Sequence, residues 1–415
     1  MQLSEVYEYK SLLIKNIHSN NAQEEADQVV FALDILFELE PDESKIISKL
    51  KISLLAIEEI NLKYKAIIAL LLNDYINNSE VKDRLQKSIN PQIFSIIDGL
   101  NKVLSIISVK VGIYSENYLK LLLTQADDVR VILILLVLKL HDVRNIKSFE
   151  EQNRIELCRQ LSSLYAPLAH RLGLYKIKTE MEEQSMKYLH NDVYKSIAEK
   201  LSEKKGERDI YIENFIKPIK KGLDEKGLKY TIKGRPKSIH SIWNKLKKNN
   251  FRFESIYDLF AIRIILDSKP ENEKADCWNV YSVVSDIYRP NPNRLRDWIS
   301  SPKISGYESL HTTVVGPDGK WVEIQIRTER MDEIAEKGHA AHWKYKEGVG
   351  NGGGSESWLS KIRKALENPD ESDIEESSSR IELYSEEIFY FYPSRRFKKT
   401  IERCNNTRFC LRSTY

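Results

Sequence analysis

Ser305 to Arg327 reads S-G-Y-E-S-L-H-T-T-V-V-G-P-D-G-K-W-V-E-I-Q-I-R. Apolar residues alternate on both sides of the Pro317-Asp318-Gly319-Lys320 turn, which predicts a β-hairpin. That hairpin carries His311, Glu323, Gln325 and Arg327 where a simple strand would prefer apolar or small residues. A base, an acid, an amide and a cation on paired strands predict the floor of a polar site. About fifty residues upstream, Tyr257-Asp258-Leu259 opens a second apolar run, Phe260 to Ile265, again with an acid at its start.

Outward from these strands the chain divides by texture. Up to about residue 200 apolar residues recur at helical spacing, in Ala26–Leu39, Ile46–Ile60, Tyr64–Ile76 and Leu119–Leu140. Tyr165-Ala166-Pro167-Leu168 predicts a kink or a helix boundary. From about 206, strands (Lys229–Lys233, Asp258–Asp267, His311–Val315, Trp321–Arg327) alternate with helices (Ser238–Lys248, Cys277–Tyr288, Arg330–Lys346). The expected class is therefore multidomain: an all-α half, then an α+β domain with one mixed sheet. Gly348 to Ser357 is Gly- and Ser-rich, and Asn368 to Ser379 is acidic and polar; both predict linker. Ile381 to Tyr392 regains strand character, and the chain after Pro393 is basic and patternless.

The 415 residues allow two or three domains, and 41% apolar with 30% charged residues fits a soluble globular class. A net charge of +3 gives no argument for nucleic acid, so no DNA partner is expected. The longest apolar run, Val131 to Leu138, is far short of the roughly 20 residues a membrane span needs. Met1 to Lys10 is polar, so no signal peptide is expected. Cys158, Cys277, Cys404 and Cys410 show no metal spacing, which predicts a reduced, cytoplasmic setting.

Three further segments could carry chemistry. Gly234-Arg235-Pro236-Lys237, with Ser241 and Lys245 at four-residue steps, puts a strand end, a turn and a basic helix start together. That combination suits phosphate, although a solvated basic helix face has the same pattern. Asp258 and Glu323 could share a divalent cation, since Mg²⁺ commonly takes one or two carboxylates plus substrate phosphates. The alternative is that both face solvent at a sheet edge, and Arg263 could equally partner Asp258. Arg294 to Tyr307 is a cationic loop ending in a tyrosine after a glycine, fit to stack on a base or to pack as core. His339 and His342, three apart on the last helix, fit packing better than metal ligation. No GxxxxGK[ST] occurs.

G-R-P-K-x-I-x-S-I-W-x-K, Y-D-L-x-A-x-R, P-K-x-x-G-Y-x-S-L-H-T, V-E-I-Q-I-R-T and A-A-H-W-x-Y-K-E-G occur in that order. Together they resemble the synthetase domain of the long RelA/SpoT-homologue family, the stringent-response enzymes that make and break (p)ppGpp. The resemblance implies a nucleotidyltransferase-like α+β domain at 206–348. It also implies a GTP diphosphokinase that moves pyrophosphate from ATP to the 3′-hydroxyl of GDP or GTP, with Mg²⁺. By motif, Asp258 and Glu323 would be catalytic and metal-binding, with Glu323 as metal ligand or as base for the 3′-hydroxyl. Arg235 and Arg263 would sandwich adenine, and Lys237, Ser241 and Lys245 would meet the ATP phosphates. Arg296, Lys303, Tyr307, His311, Gln325 and Arg327 would form the acceptor side, with Tyr307 stacking on guanine. Ser305 stands where the family usually has Asn, and Arg296 where it usually has Lys. The alternative is a catalytically weak nucleotide-binding regulator of the stringent response.

Residues 1–200, including Y-A-P-L-A-H-R-L-G-L at Tyr165 to Leu174, resemble the family's HD-type hydrolase domain, with its chemistry removed. The family's His-Asp reads Asn73-Asp74, its Glu-Asp reads Asn77-Asn78, and its late Asp falls on Leu138. No histidine lies between His18 and His141, so a pseudo-hydrolase is expected. Residues 349–380 are expected to be linker and 381–394 to begin a TGS domain. Back-translated with permissive codons and read one nucleotide later, 395–415 can spell G-D-L-K-K-L-S-K-G-A-T-I-L-D-F-A-Y-E-V-H, the pattern expected next. An out-of-frame tail is therefore expected, and with it the loss of binding to ribosome and tRNA. The nucleotide sequence checks this, through an open TGS frame immediately downstream.

Overall fold

A computed structural model of the chain describes residues 2–76, 78–108, 126, 128–203, 205–249, 260–303, 306–337, 388–391 and 397–400. Tyr257 to Leu259, Ser305, Asn77 and the His339–His342 pair lie outside these residues.

The first half is helical: α1 (Gln2–Asn20), α2 (Gln23–Leu39), α3 (Glu43–Ile60), α4 (Tyr64–Leu72), α5 (Ser79–Ser88), α6 (Pro91–Ser108) and α7 (Val129–Arg144). Then come α8 (Glu151–Gln160), α9 (Ala166–Arg171), α10 (Tyr175–Leu189) and α11 (Asn191–Glu203). Caps fix several of these starts. Asp42 accepts from the Ser44 amide and Asp128 from the Arg130 amide, each satisfying a donor the helix cannot. α4 is apolar around its circumference, and Ile67, Ile68, Leu71 and Leu72 are all inaccessible, so it is the central helix of the half. Each such side chain stabilises the fold by roughly 1.5–3 kcal/mol. At the expected kink, Leu161–Tyr165 winds as a π-helical turn into α9. Pro167 sits in the first turn of α9, directly after that π turn.

Glu59 of α3 ties three helices together. It pairs with Arg144 of α7 at 2.7 Å and Lys176 of α10 at 2.9 Å, and Arg144 also binds Glu180 at 2.8 Å. Burial works to raise the Glu59 pKa, but Lys176 and Arg144 outweigh it and lower it. The Glu59 charge therefore contributes stability above the ordinary glutamate range, and that contribution is lost as pH falls through the depressed folded value. Glu59→Gln should cost about 1–2 kcal/mol at neutral pH in denaturant unfolding, less than a fully buried pair because the site is partly wet. The gap to wild type should close on acidification.

The second half is built on α12 (Lys205–Glu225), β1 (Tyr230–Pro236), α13 (Ile239–Asn249), β2 (Phe260–Leu266), α14 (Glu273–Ile287), β3 (Arg296–Asp297), β4 (Leu310–Val315), β5 (Trp321–Thr328) and α15 (Glu329–Lys337). The sheet order is β1-β2-β5-β4-β3. β2 and β5 run parallel and the other pairs antiparallel, so the sheet is mixed as expected. β4 and β5 are the expected hairpin, joined through Pro317–Gly319. Asp318 and Gly319 there take positive φ of 60° and 68°.

Period-2 alternation splits the sheet into two faces. Val322, Ile324 and Ile326 of β5, with Ile262 and Ile264 of β2, pack against α12 and α14 around Phe215, Ile219, Val280 and Val284. Glu323, Gln325 and Arg327 therefore project to the other face.

The two halves meet in a third core, where Ile239, Ile242, Trp243 and Leu246 of α13 pack on Met186 of α10 and Ile197 of α11.

Three expectations need correction. Gly234 does not end its strand; it pairs with Ile262 and β1 continues to Pro236, because the β2 edge offers partners that far. Arg296-Asp297 is a short edge strand on β4 and not loop. In the tail, 397–400 forms a strand (β7) antiparallel to 388–391 (β6), where no element was expected. A strand-forming segment leaves unpaired backbone groups that the next extended stretch can satisfy.

Candidate active site

The polar face of the sheet is set by register. Glu323 stands opposite Ala261 and Thr313, and Gln325 opposite Arg263 and His311. Arg235 stands opposite Ala261 on the far side of β2. Over this face lies a cavity of about 240 Å³. It is lined by Lys237, Ser241, Arg263, Lys303, Tyr307, His311, Glu323, Gln325 and Arg327. Nine of the positions singled out from the sequence thus come together. Lys245 and Arg296 do not line the cavity, Arg296 being exposed on the edge strand. Asp258 and the Arg235 side chain lie outside the described residues.

Glu323 is the electrostatic centre. Its Oε1 accepts from Gln325 Nε2 at 3.0 Å and lies 3.5 Å from His311 Nδ1. Burial works to raise its pKa, but His311, Gln325 and the Lys237 charge outweigh burial and hold it at about 2. The other ring nitrogen of His311, Nε2, lies 2.8 Å from the Tyr307 hydroxyl, which completes a line Tyr307–His311–Glu323. The Tyr307 ring meets Trp298, Tyr175 and His311 edge-on, at centroid distances of 5.7, 5.6 and 5.9 Å. Gly306, at φ 70°, donates its amide to the Lys303 carbonyl at 2.8 Å and so folds Tyr307 over the sheet. Lys303 Nζ lies 4.9 Å from the Trp298 ring centre. Behind the loop, Arg330 binds Glu308 at 2.6 Å and Glu273 at 2.7 Å, anchoring the residue that follows Tyr307.

Ser238 caps α13 by accepting from the Ser241 amide at 3.2 Å, so the Lys237-Ser238 turn presents the helix start to the cavity. Two arginines complete the wall. Arg263 binds Asp332 and Glu336 of α15 at 3.2 and 2.9 Å. Arg327 is 1% exposed and binds the same two carboxylates. Burial lowers its pKa and the Arg263 charge adds to that, against Tyr307, Asp332 and Glu336.

Sequence reasoning missed the wall supplied by the helical half. Tyr175, Lys178, Thr179 and Glu182 of α10 line the cavity together with His170 of α9, whose ring meets Tyr175 edge-on. Glu182 lies 3.2 Å from His240 Nδ1, and Glu183 accepts from the Ile239 amide at 3.0 Å. The spacing 175, 178, 179, 182 is one helical face, a signal present in the sequence but tied to no motif.

The expected hydrolase positions are also placed, except Asn77. Asn73 and Asp74 follow α4, and the gap beside them is taken by Lys49 of α3. The Lys49 ammonium lies 2.8 Å from Asp74 Oδ2, 3.2 Å from Asn73 Oδ1 and 3.2 Å from the Leu70 carbonyl. Asn78 caps α5 through the Glu80 and Val81 amides. Leu138 of α7 packs against the helical core. Among the described residues no three His, Cys, Asp or Glu side chains are grouped so as to hold a metal.

The described chain is thus a helical bundle joined to a mixed sheet, one face of which packs on helices while the other carries the polar cavity. Residues 34–175 match the HD domain model, and residues 234–350 match the model described as a region found in RelA/SpoT proteins. The chain belongs to the RelA/SpoT-homologue family. It is 34% identical over 342 residues to a guanosine-3′,5′-bis(diphosphate) 3′-pyrophosphohydrolase of Aquifex aeolicus, covering 82% of this chain and 48% of that one. It is 36% identical over 325 residues to the GTP pyrophosphokinase of Escherichia coli K12, covering 75% and 43%. Among solved structures it matches small alarmone synthetase 2 of Bacillus subtilis at 27% identity and a TM-score of 0.28, over 39% of this chain and 90% of that one. The chain spans about half the length of the curated relatives it matches. No described helix is long and apolar enough to cross a membrane.

Proposed function

We propose that this chain is a (p)ppGpp synthetase, transferring pyrophosphate from ATP to the 3′-hydroxyl of GDP or GTP with release of AMP. The observation that carries it is the Tyr307–His311–Glu323 line on the floor of a cavity ringed by Lys237, Lys303, Arg263 and Arg327. Transfer of a phosphoryl group needs positioning and charge neutralisation more than covalent help, and these residues supply both. Lys237 and Ser241 at the start of α13 bind the donor's phosphates. Arg263 stacks on adenine, with Arg235 as its partner by motif. Tyr307 stacks on guanine, and Lys303, His311, Gln325 and Arg327 hold the acceptor.

Glu323 fits a Mg²⁺ ligand, because a carboxylate held at about 2 stays ionised and is a poor base. Asp258, by motif the second donor, would hold the same ion, which when bound neutralises charge developing on the transferred phosphates. Gln325 and His311 keep the Glu323 oxygens aimed into the cavity.

The helical half is proposed to have no hydrolase activity. Lys49 supports this: its ammonium stands against Asn73 and Asp74, where a divalent cation would need vacant carboxylate and imidazole donors. With ATP, GDP and Mg²⁺ the purified chain should release AMP and ppGpp in equal amounts. With ppGpp and Mn²⁺ it should release no pyrophosphate. Nucleotide binding without AMP release would favour the regulator reading, and Mn²⁺-dependent hydrolysis would overturn the pseudo-hydrolase.

A further inference from the structure

Two guanidinium groups stand on one wall of the cavity, one from β2 and one from β5. Both Arg263 and Arg327 are nearly shielded from water, with side-chain exposures of 12% and 2%. Two like charges held close together away from solvent repel, and each is costly to bury alone. α15 supplies the compensation. Asp332 and Glu336 are four residues apart and therefore share a helix face. Asp332 binds Arg263 Nη1 at 3.2 Å and also binds Arg327 Nη2. Glu336 binds the same two atoms at 2.9 and 3.5 Å. The four groups make a closed, neutral quartet, and Glu336 itself lines the cavity.

The quartet leaves something over. Arg263 Nε and Arg327 Nε are both buried without a hydrogen-bond partner. A structural ion-pair cluster of this burial would ordinarily satisfy those donors. The carboxylates also take each guanidinium through a terminal nitrogen at its edge, and an edge-bound guanidinium keeps its flat face for an aromatic ring.

We propose that Asp332 and Glu336 are positioning residues for nucleotide binding, holding Arg263 and Arg327 side by side with their faces and remaining donors turned to substrate. The inference rests on the synthetase reading for the identity of the nucleotides. Asp332 is shared by both arginines and so sets both subsites. Glu336 is nearest to Arg263 and so acts chiefly on the donor. A merely structural pair would change stability and leave affinity alone.

The test uses the full chain with Asp332→Asn, Asp332→Glu and Glu336→Gln. It follows binding of the non-hydrolysable α,β-methylene analogue of ATP by calorimetry, KM and kcat for each substrate, and thermal unfolding. Glu336→Gln should weaken the ATP analogue about three- to tenfold and leave the KM for GDP and the melting temperature in place. Asp332→Asn should raise both KM values about tenfold with kcat within about threefold, the pattern of lost uniform binding, and Asp332→Glu should recover most of it. Unchanged analogue affinity in Glu336→Gln overturns the proposal. So does an Asp332→Asn defect confined to the melting temperature. If Asp332→Asn fails to fold, Glu336→Gln decides alone, since its carboxylate is 40% exposed. The two readings also fail separately: a wild type that binds the analogue but makes no product sinks the synthetase, while the analogue affinities of the variants still judge the quartet.

Discussion

Glu323→Gln should abolish synthesis, lowering AMP release from ATP and GDP by about a thousandfold, the scale on which removing a key charge from a preorganised site acts. The substitution keeps shape and removes charge. Val322 and Ile324 on either side are buried in the sheet core, so β5 keeps its register. The bond from Gln325 Nε2 can still be accepted by the amide oxygen, so stability should change little. What is lost is the anionic oxygen that His311, Gln325 and Lys237 together hold ionised down to about pH 2. A neutral amide is a far weaker ligand for a hard divalent cation. Glu323→Asp keeps the charge but withdraws it by one methylene, and should retain a small measurable rate. Coupled assay of AMP, with unfolding followed in parallel, checks this. More than a tenth of wild-type activity in Glu323→Gln would remove the carboxylate from the chemistry.

The reach of the sequence is clearest on the sheet. The hairpin at 310–328 was legible because alternation, a Pro/Gly turn and misplaced polar residues coincide within some twenty positions. Inward and outward faces of β5 followed from period 2 alone. Fold class followed from the change in texture near 206. What stayed hidden joins distant parts of the chain. Glu183 reaches Ile239 across 56 positions and Arg263 reaches Glu336 across 73. No local pattern encodes such pairs, since a helix face with Tyr175, Lys178, Thr179 and Glu182 reads equally well as solvated. Lys49 was invisible for another reason. A motif names the residues that should be present, and an ammonium filling the space beside Asn73 and Asp74 appears only when α3 is folded against the end of α4.

Tyr307→Ala should raise the KM for GDP about ten- to a hundredfold while the KM for ATP stays near wild type. The magnitude follows from base–aromatic stacking, worth roughly 1–3 kcal/mol per base. Alanine alone does not settle the cause, because the ring also packs. Its edges meet Tyr175, Trp298 and His311, and such pairs contribute about 0.5–1.5 kcal/mol each. Two further variants separate the effects. Tyr307→Leu fills much of the space without offering a flat face, and should keep most of the stability but not the acceptor affinity. Tyr307→Phe keeps the face and loses only the hydroxyl contact with His311 Nε2, so its KM for GDP should stay within about threefold of wild type. A serious kcat loss in Tyr307→Phe would instead put the hydroxyl in the Tyr307–His311–Glu323 line at the centre of the reaction. If Tyr307→Leu and Tyr307→Ala lower the melting temperature and leave the KM for GDP unchanged, Tyr307 is a packing residue and guanine is held elsewhere. The order Phe, Leu, Ala in acceptor affinity, independent of the order in stability, is the result that a stacking role requires.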